Sequence, residues 1–134
     1  MNVEVNNLTT LVVDEGFLIS VAKKVLMSEN KKDAELSIAL VGQGRIRELN
    51  RKYRGKNRVT DILSFPDEEG GELVICLSEV KRNAKKYKLT FQQELAKVLI
   101  HGTLHLLEYE HEKTRVQADK MAQKEEHYIS RLEF

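Results

Sequence analysis

The sequence predicts a single α/β domain of the α+β kind, spanning residues 1–134, with one small mixed β-sheet of about four strands and about five helices. A chain of 134 residues fits one domain. Short apolar runs alternate with segments of helical periodicity up to about residue 77, and the remainder has helical periodicity throughout. A helix that carries two histidines is expected at the centre of this fold.

The four predicted strands are short, and each is recognised by its apolar pattern. Residues 3–6 alternate apolar and polar side chains, which suggests an edge strand. Residues 36–41 form an apolar run that ends at a glycine, which is typical of a buried strand. The other two strands, residues 60–65 and 72–77, are expected on either side of a glycine turn at residues 70–71.

The predicted helices are recognised by apolar spacing or by their capping residues. They are residues 15–28, 45–54, 78–88, 90–107 and 114–132. Ser78 is the expected N-cap of the third helix. Thr90 and Gln93 form a capping-box pattern that opens the fourth helix.

Composition and targeting signals exclude several classes of protein. Hydrophobic residues make up 41% of the chain and charged residues 32%, so a folded domain is expected. No apolar run approaches the ~20 residues of a membrane span, so no membrane partner is expected. Residues 1–7 lack the pattern of a signal peptide, and a single cysteine, Cys76, cannot form an intramolecular disulfide. We therefore expect a cytoplasmic protein.

Basic residues are clustered although the formal net charge is only +1. Residues 45–58 contain seven basic side chains and one acidic one, and residues 81–88 contain five basic side chains and no acidic one. Such clusters are most often solvated helix faces. Two of them in one small, nearly neutral domain favour a polyanionic partner.

The most informative segment is HGTLHLLEYEH, residues 101–111, which has the histidine spacing H-x3-H-x5-H. His101 and His105 share one face of a helix, so their rings can converge on one ion. Apolar residues flank them on both sides, and a buried imidazole without a partner is costly. A helix end near Leu107 would let a turn bring His111 back as a third ligand. The alternative is a buried histidine pair satisfied by backbone groups or carboxylates.

Three histidine ligands would leave a tetrahedral ion one open position, which is typical of catalytic zinc. Metzincin proteases share this spacing but have a glutamate directly after the first histidine as general base. Here that position is Gly102, which disfavours a metallopeptidase. A glycine inside a helix indicates either close helix-to-sheet packing or close approach of a substrate.

Together with LNRKYRGKNRVTDILSFP (residues 49–66) and GELVIC (residues 71–76), this segment closely resembles the YbeY family of bacterial endoribonucleases. The resemblance implies one Zn²⁺ per chain, held by His101, His105 and His111. It also implies cleavage of single-stranded RNA in maturation of the 3′ end of 16S rRNA, close to the small ribosomal subunit or its proteins. In two departures, Glu108 and Glu110 stand where the family usually has glycine and aspartate.

The resemblance also suggests roles for individual residues. Arg54 matches the family's functionally important arginine and, with the three histidines, completes the expected catalytic set. Its guanidinium can donate two parallel hydrogen bonds to phosphate oxygens. With the two basic clusters, this match gives the expected RNA-binding residues, which are Arg54, Lys56, Arg58, Lys81, Lys85 and Lys86.

Two assignments and one further function remain open from the sequence. Asp61 could orient a histidine or cap the end of a strand. The general base is not identified; Glu110, another carboxylate or hydroxide on the metal could serve. A ribosome-assembly factor with a mainly structural zinc is the alternative to an endoribonuclease.

Overall fold

A computed structural model describes residues 1–107 and 114–132 of the chain. These residues form four strands and five helices, in the order β1 (Asn2–Asn7), α1 (Glu15–Ser28), β2 (Glu35–Val41), α2 (Gln43–Arg54), β3 (Ile62–Pro66), β4 (Gly70–Cys76), α3 (Leu77–Tyr87), α4 (Phe91–Leu107) and α5 (Arg115–Ser130). The predicted α/β fold class is confirmed. Among the helices of these residues, none is both long enough and apolar enough to cross a membrane.

The four strands of the described residues form one mixed sheet in the order β1-β2-β4-β3. Strands β1, β2 and β4 are parallel, and β3 runs antiparallel to β4. Strand β1 lies at one edge, as its alternating pattern predicts, and β3 lies at the other. Strand β3 is thus the edge strand beside the candidate site described below.

Helices cover the two faces of the sheet, and the side chains of β4 alternate between them. Leu73 and Ile75 belong to the larger core, which the sheet shares with α1 and α4. Val74 and Cys76 belong to a smaller core that contains Ile46 of α2. Because successive side chains of a strand point to opposite faces, α2 and α4 lie on opposite sides of the sheet.

Helix α4 is the central helix, as expected, since ten of its 17 residues are buried. Gly102 allows its close packing on the sheet. A Cβ atom at that position would lie 2.4 Å from Cδ1 of Ile62 and 3.1 Å from Cδ2 of Leu73. Of the two interpretations of this glycine, the structure supports helix-to-sheet packing. The reciprocal hydrogen bonds between Thr90 and Gln93 confirm the predicted capping box before α4.

Both ends of β4 differ from the prediction. Gly70 and Gly71 are the first residues of β4 and not a turn before it, because both pair with neighbouring strands. At its other end β4 passes directly into α3, whose N-cap is Cys76. The prediction of Ser78 as N-cap is therefore wrong: Ser78 lies inside the helix, with Oγ 3.3 Å from Sγ of Cys76.

Helix α5 lies at the surface of the domain, and none of its described residues is fully buried. Met121, Tyr128 and Ile129 pack partly buried against the larger core. Glu29, the C-cap residue of α1, accepts a hydrogen bond from Nζ of Lys124 at 2.7 Å and one from the hydroxyl of Tyr128 at 2.5 Å. These contacts determine where α5 lies relative to α1 and α4.

Candidate metal centre

Helix α4 carries His101 and His105 one turn apart, as the sequence spacing predicts. Their ring centroids lie 4.2 Å apart, with an angle of 54° between the ring planes. The side chain of His101 is 47% exposed, whereas the neighbouring residues Ile100 and Leu104 are buried. The two rings therefore lie at the surface of a helix that is otherwise embedded in the core.

Helix α5 adds a carboxylate to this pair. Oε1 of Glu125 contacts Nδ1 of His101 directly, and the Glu125 side chain is only 20% exposed. Because a carboxylate only accepts hydrogen bonds, Nδ1–H of His101 is the donor. This leaves Nε2 of His101 as the ring nitrogen available to a ligand.

The three side chains form a group that could hold a metal ion. One ligand atom from each of His101, His105 and Glu125 lies within 4.8 Å of the other two. Two imidazole nitrogens and one carboxylate oxygen are a donor set that zinc accepts. A carboxylate that binds the second nitrogen of a ligating histidine is also a common arrangement around protein-bound metals. The donor chemistry therefore fits a metal centre.

Glu125 was missed in the sequence analysis. It lies 24 residues after His101 and reaches it only because α5 packs against α4. The local pattern around Glu125 offers only a weak signal, namely its position one turn after Met121 on the same face of α5.

The predicted third ligand, His111, lies outside the described residues, as do Glu108 and Glu110. The return turn and the two departures from the family pattern lie there as well. These expectations stay predictions. The fourth histidine of the chain, His127, is exposed on α5 beside Tyr128.

The histidines open onto a cleft of about 850 Å³. Its walls come from the end of α2, from β3, from α4 and from α5. Since α2 and α4 cover opposite faces of the sheet, the cleft lies along the β3 edge, where these two layers meet. Arg54 lines this cleft together with His101, His105 and Glu125.

Arg54 is the last residue of α2 and is exposed. The helix ends there because Gly55 adopts a left-handed conformation with φ of 67°, which glycine accepts without steric cost. Within the described part of the chain, the Arg54 guanidinium has neither a hydrogen bond nor an ion pair. An arginine in a cleft that has no partner among these residues is available to an anionic ligand.

The other basic residues expected to bind RNA lie elsewhere. Lys56 and Arg58 are exposed in the loop after α2, and Lys81, Lys85 and Lys86 lie on α3. None of these five lines the cleft as the described residues bound it. The structure thus brings Arg54 together with the histidines but leaves the other basic residues apart from them.

Asp61, a candidate for orienting a histidine, lies near another acidic residue, Glu94. Burial raises the pKa of Glu94; the charge of Lys97 partly offsets this, and the charge of Asp61 adds to it. The carboxylate that contacts His101 is that of Glu125. The carboxylate contact to His101 therefore comes from α5.

Comparison with known proteins gives one consistent match. A family described as "Endoribonuclease YbeY" matches residues 4–133. A protein of that name from Thermodesulfovibrio yellowstonii is 47% identical over 105 residues, which cover 72% of this chain and 66% of the relative. Another, from Carboxydothermus hydrogenoformans, is 41% identical, and the alignment covers 96% of both chains. A protein from Thermotoga maritima with a known solution structure gives a TM-score of 0.68 at 30% identity, covering 96% of this chain and 86% of that one.

Proposed function

The chain belongs to the YbeY family of endoribonucleases, hydrolases that cleave RNA phosphodiester bonds, and from that premise we propose that it is a zinc-dependent, single-strand-specific endoribonuclease. We propose further that it acts in 3′-end maturation of 16S rRNA during biogenesis of the small ribosomal subunit, in the cytoplasm. The observation that carries this proposal is the placement of Arg54 and of the His101, His105 and Glu125 group in one cleft.

In this proposal, one zinc ion per chain is held by His101, His105 and His111. Glu125 fixes the orientation of His101 by accepting from Nδ1, so that Nε2 is presented to the ion. When bound, zinc supplies Lewis acidity, which lowers the pKa of a coordinated water molecule toward 7. The role of the protein is to hold the ligands rigidly, and the buried packing of α4 provides that rigidity.

Arg54 binds the phosphate group that is to be cleaved. Its planar guanidinium can donate two parallel hydrogen bonds to phosphate oxygens. Negative charge accumulates on those oxygens as the phosphodiester is attacked, so a fixed cation there stabilises the transition state. The position of Arg54 at the end of a helix, with no partner among the described residues, suits this role.

The cleft favours unpaired RNA. In an A-form duplex the bases are stacked inside and its deep, narrow major groove is closed to side chains. A cleft lined by side chains from four elements can enclose a single strand and reach its bases. The substrate we propose is therefore a single-stranded segment of rRNA, presented on the small ribosomal subunit or by its proteins.

Two separate observations disfavour the two other functions, a structural zinc site and a metallopeptidase. Structural zinc sites are closed on all sides by protein ligands, whereas the side chain of His101 is 47% exposed and faces a cleft. The glutamate that a metzincin protease needs is absent from position 102, where a glycine packs on Ile62. The geometry thus favours catalysis on RNA.

Metal removal tests the proposal. The protein is treated with a chelator, its fold is followed by circular dichroism, and cleavage is measured on a single-stranded oligonucleotide from the 3′ region of 16S rRNA. We expect the chain to remain folded, cleavage to stop, and added zinc to restore it. The same sequence in a duplex, the control substrate, should stay intact. Unchanged cleavage without metal, or joint loss of fold and RNA binding, would contradict the proposal.

A further inference from the structure

An exposed aromatic side chain stands in the cleft beside Arg54. Tyr53 is 58% exposed, although it lines the same cleft as His101 and His105. Its ring makes a T-shaped contact with Phe65 of β3, with centroids 5.3 Å apart and an angle of 73° between the ring planes. An exposed aromatic ring in a cleft offers apolar surface that a ligand can cover.

We propose that Tyr53, supported by Phe65, is a stacking platform for an unpaired nucleobase of the RNA, next to the phosphate that Arg54 binds. This inference rests on the proposed function and assigns a base-binding subsite to the same cleft. In a T-shaped pair at least one face of the Tyr53 ring is not covered by Phe65. Stacking of a base on an aromatic ring is a general means of binding single strands.

The arrangement matches the chemistry of a nucleotide. Tyr53 and Arg54 are consecutive residues of α2 and both line the cleft, so an aromatic ring and a guanidinium reach the same cleft. Nζ of the neighbouring Lys52 lies over the Tyr53 ring, 5.3 Å from its centroid, and adds a second positive charge. A stacked base would take the other face of the ring or displace this exposed side chain. A nucleotide likewise combines an apolar base face with a negatively charged phosphate.

The platform binds bases without distinguishing their identity. Every nucleobase has a π-face, so stacking tolerates sequence variation. The ring would hold the nucleotide that flanks the cleaved phosphate, while the histidines occupy another wall of the cleft. The platform therefore contributes to preference for unpaired RNA and to substrate affinity.

Tyr87 offers a matched control. It is 52% exposed, and Nζ of Lys86 and Nζ of Lys97 lie 5.5 and 5.1 Å from its ring centroid. Tyr87 therefore resembles Tyr53 in exposure and in its cationic neighbours. It differs in its place, since it ends α3 and does not line the cleft formed by the described residues.

The test is a double-mutant cycle between the protein and the RNA. Single-stranded oligonucleotides carry one abasic site at each position in turn, and kcat/KM is measured for wild type, Tyr53→Ala, Tyr53→Phe and Tyr87→Ala. We expect Tyr53→Ala to lower kcat/KM roughly tenfold, mainly through KM, and Tyr53→Phe to keep wild-type values. An abasic site at the stacked position should cost wild type and Tyr87→Ala a similar factor but cost Tyr53→Ala almost nothing.

A binding measurement separates failure of this inference from failure of the proposed function. Fluorescence of 2-aminopurine at each position of the strand is followed with metal-free protein, so that cleavage is not needed. Quenching at one position by wild type and Tyr53→Phe, and its loss in Tyr53→Ala, supports the platform even if no RNA is cut. Absence of quenching in wild type, or equal abasic penalties in wild type and Tyr53→Ala, would overturn it.

Discussion

At the scale of single residues, Glu125 determines which nitrogen of His101 can bind a metal. Its Oε1 contacts Nδ1 of that histidine, and its side chain is mostly shielded from water. A hydrogen-bond acceptor at Nδ1 fixes both the orientation of the ring and its tautomer. Without this carboxylate the imidazole could rotate on an exposed surface, and its affinity for an ion would fall.

We therefore expect Glu125→Ala to weaken zinc binding about 10- to 100-fold, because the partner of His101 is lost. Glu125→Gln should lose less, since an amide oxygen can still accept from Nδ1. The measurement is a competition titration against a chromophoric chelator. Glu126→Ala is the control, because Glu126 is the adjacent residue and is exposed. Equal zinc affinity in the Glu125 and Glu126 variants would refute the positioning role.

Arg54 is the second residue whose chemistry can be isolated. Arg54→Lys keeps the positive charge but removes the planar fork of donors, so we expect kcat for RNA cleavage to fall at least about tenfold. The control is Arg51→Lys on the same helix, because Arg51 is exposed and does not line the cleft among the described residues. Cleavage by Arg54→Lys at the wild-type rate would show that bidentate binding is not used.

At the scale of elements, the start of β4 depends on glycine. Gly71 has φ of 142°, in the region that favours glycine, and a Cβ there would lie 2.4 Å from the carbonyl oxygen of Phe65. That carbonyl belongs to β3, the strand that lines the cleft. The backbone of β3 can therefore approach β4 only where no side chain intervenes.

We expect Gly71→Ala to lower the free energy of unfolding by about 3 kcal/mol or more, from backbone strain and from contact with the β3 backbone. Gly44→Ala is the control, because Gly44 lies in α2 and no described atom comes within 4 Å of a Cβ built there. That change should be neutral or stabilise by up to about 1 kcal/mol. Urea unfolding gives the free energy of unfolding of both variants. Similar losses in Gly71→Ala and Gly44→Ala would refute the role of Gly71.

The attachment of α5 depends on Glu29. Partial burial raises the pKa of Glu29, but hydrogen bonds from Lys124 and Tyr128 and the charges of Lys124 and Lys31 lower it more, so the net pKa lies below 4.5. Burial, together with the bond to Glu29, raises the pKa of Tyr128 to about 12. Its hydroxyl therefore keeps its proton and donates throughout the neutral range.

Since the pKa of Glu29 is lowered by folding, its stabilisation is complete above pH 4.5 and is lost as pH falls through the lower folded value. We expect wild type to unfold at a higher temperature than Glu29→Gln at neutral pH, and the difference to shrink in acid. Thermal unfolding against pH measures it. Glu48→Gln, at an exposed ion pair with Arg45, should change stability by less than about 1 kcal/mol. If the difference in unfolding temperature between wild type and Glu29→Gln grew in acid, this account of Glu29 would be contradicted.

The elements that the sequence predicts well have local signals. The bounds of α1, Glu15–Ser28, agree with its apolar spacing, and the capping box of Thr90 and Gln93 opens α4 as expected. The start of β4 was missed because glycines usually mark turns, whereas here they allow two strands to approach closely. Ser78 was misplaced because a strand passes into a helix without a linker.

The candidate site shows the same division between local and distant signals. The pair of His101 and His105 follows from helical spacing alone, and Arg54 follows from the family resemblance. Glu125 and the contact between Tyr53 and Phe65 depend on how separate elements pack. No pattern within a short window of sequence specifies such packing.

At the scale of the whole molecule, the order of the strands explains where the cleft lies. Strand β3 is the sheet edge, with the layer of α2 on one face and that of α4 on the other. Arg54 comes from the first layer and the histidines from the second, while β3 forms the wall between them. The exposed guanidinium of Arg54 and a group that could hold a metal ion thus face one cleft although they come from separate layers of the fold.

The central claim is that the metal at this cleft is catalytic, and it is tested most directly by measuring zinc content and RNA cleavage together in wild type and in His105→Ala. The account predicts about one zinc per chain and cleavage of single-stranded RNA by wild type. It predicts loss of both in a variant that remains folded by circular dichroism. Cleavage by His105→Ala at the wild-type rate, or a zinc-loaded wild type that cuts no single-stranded RNA, would contradict it.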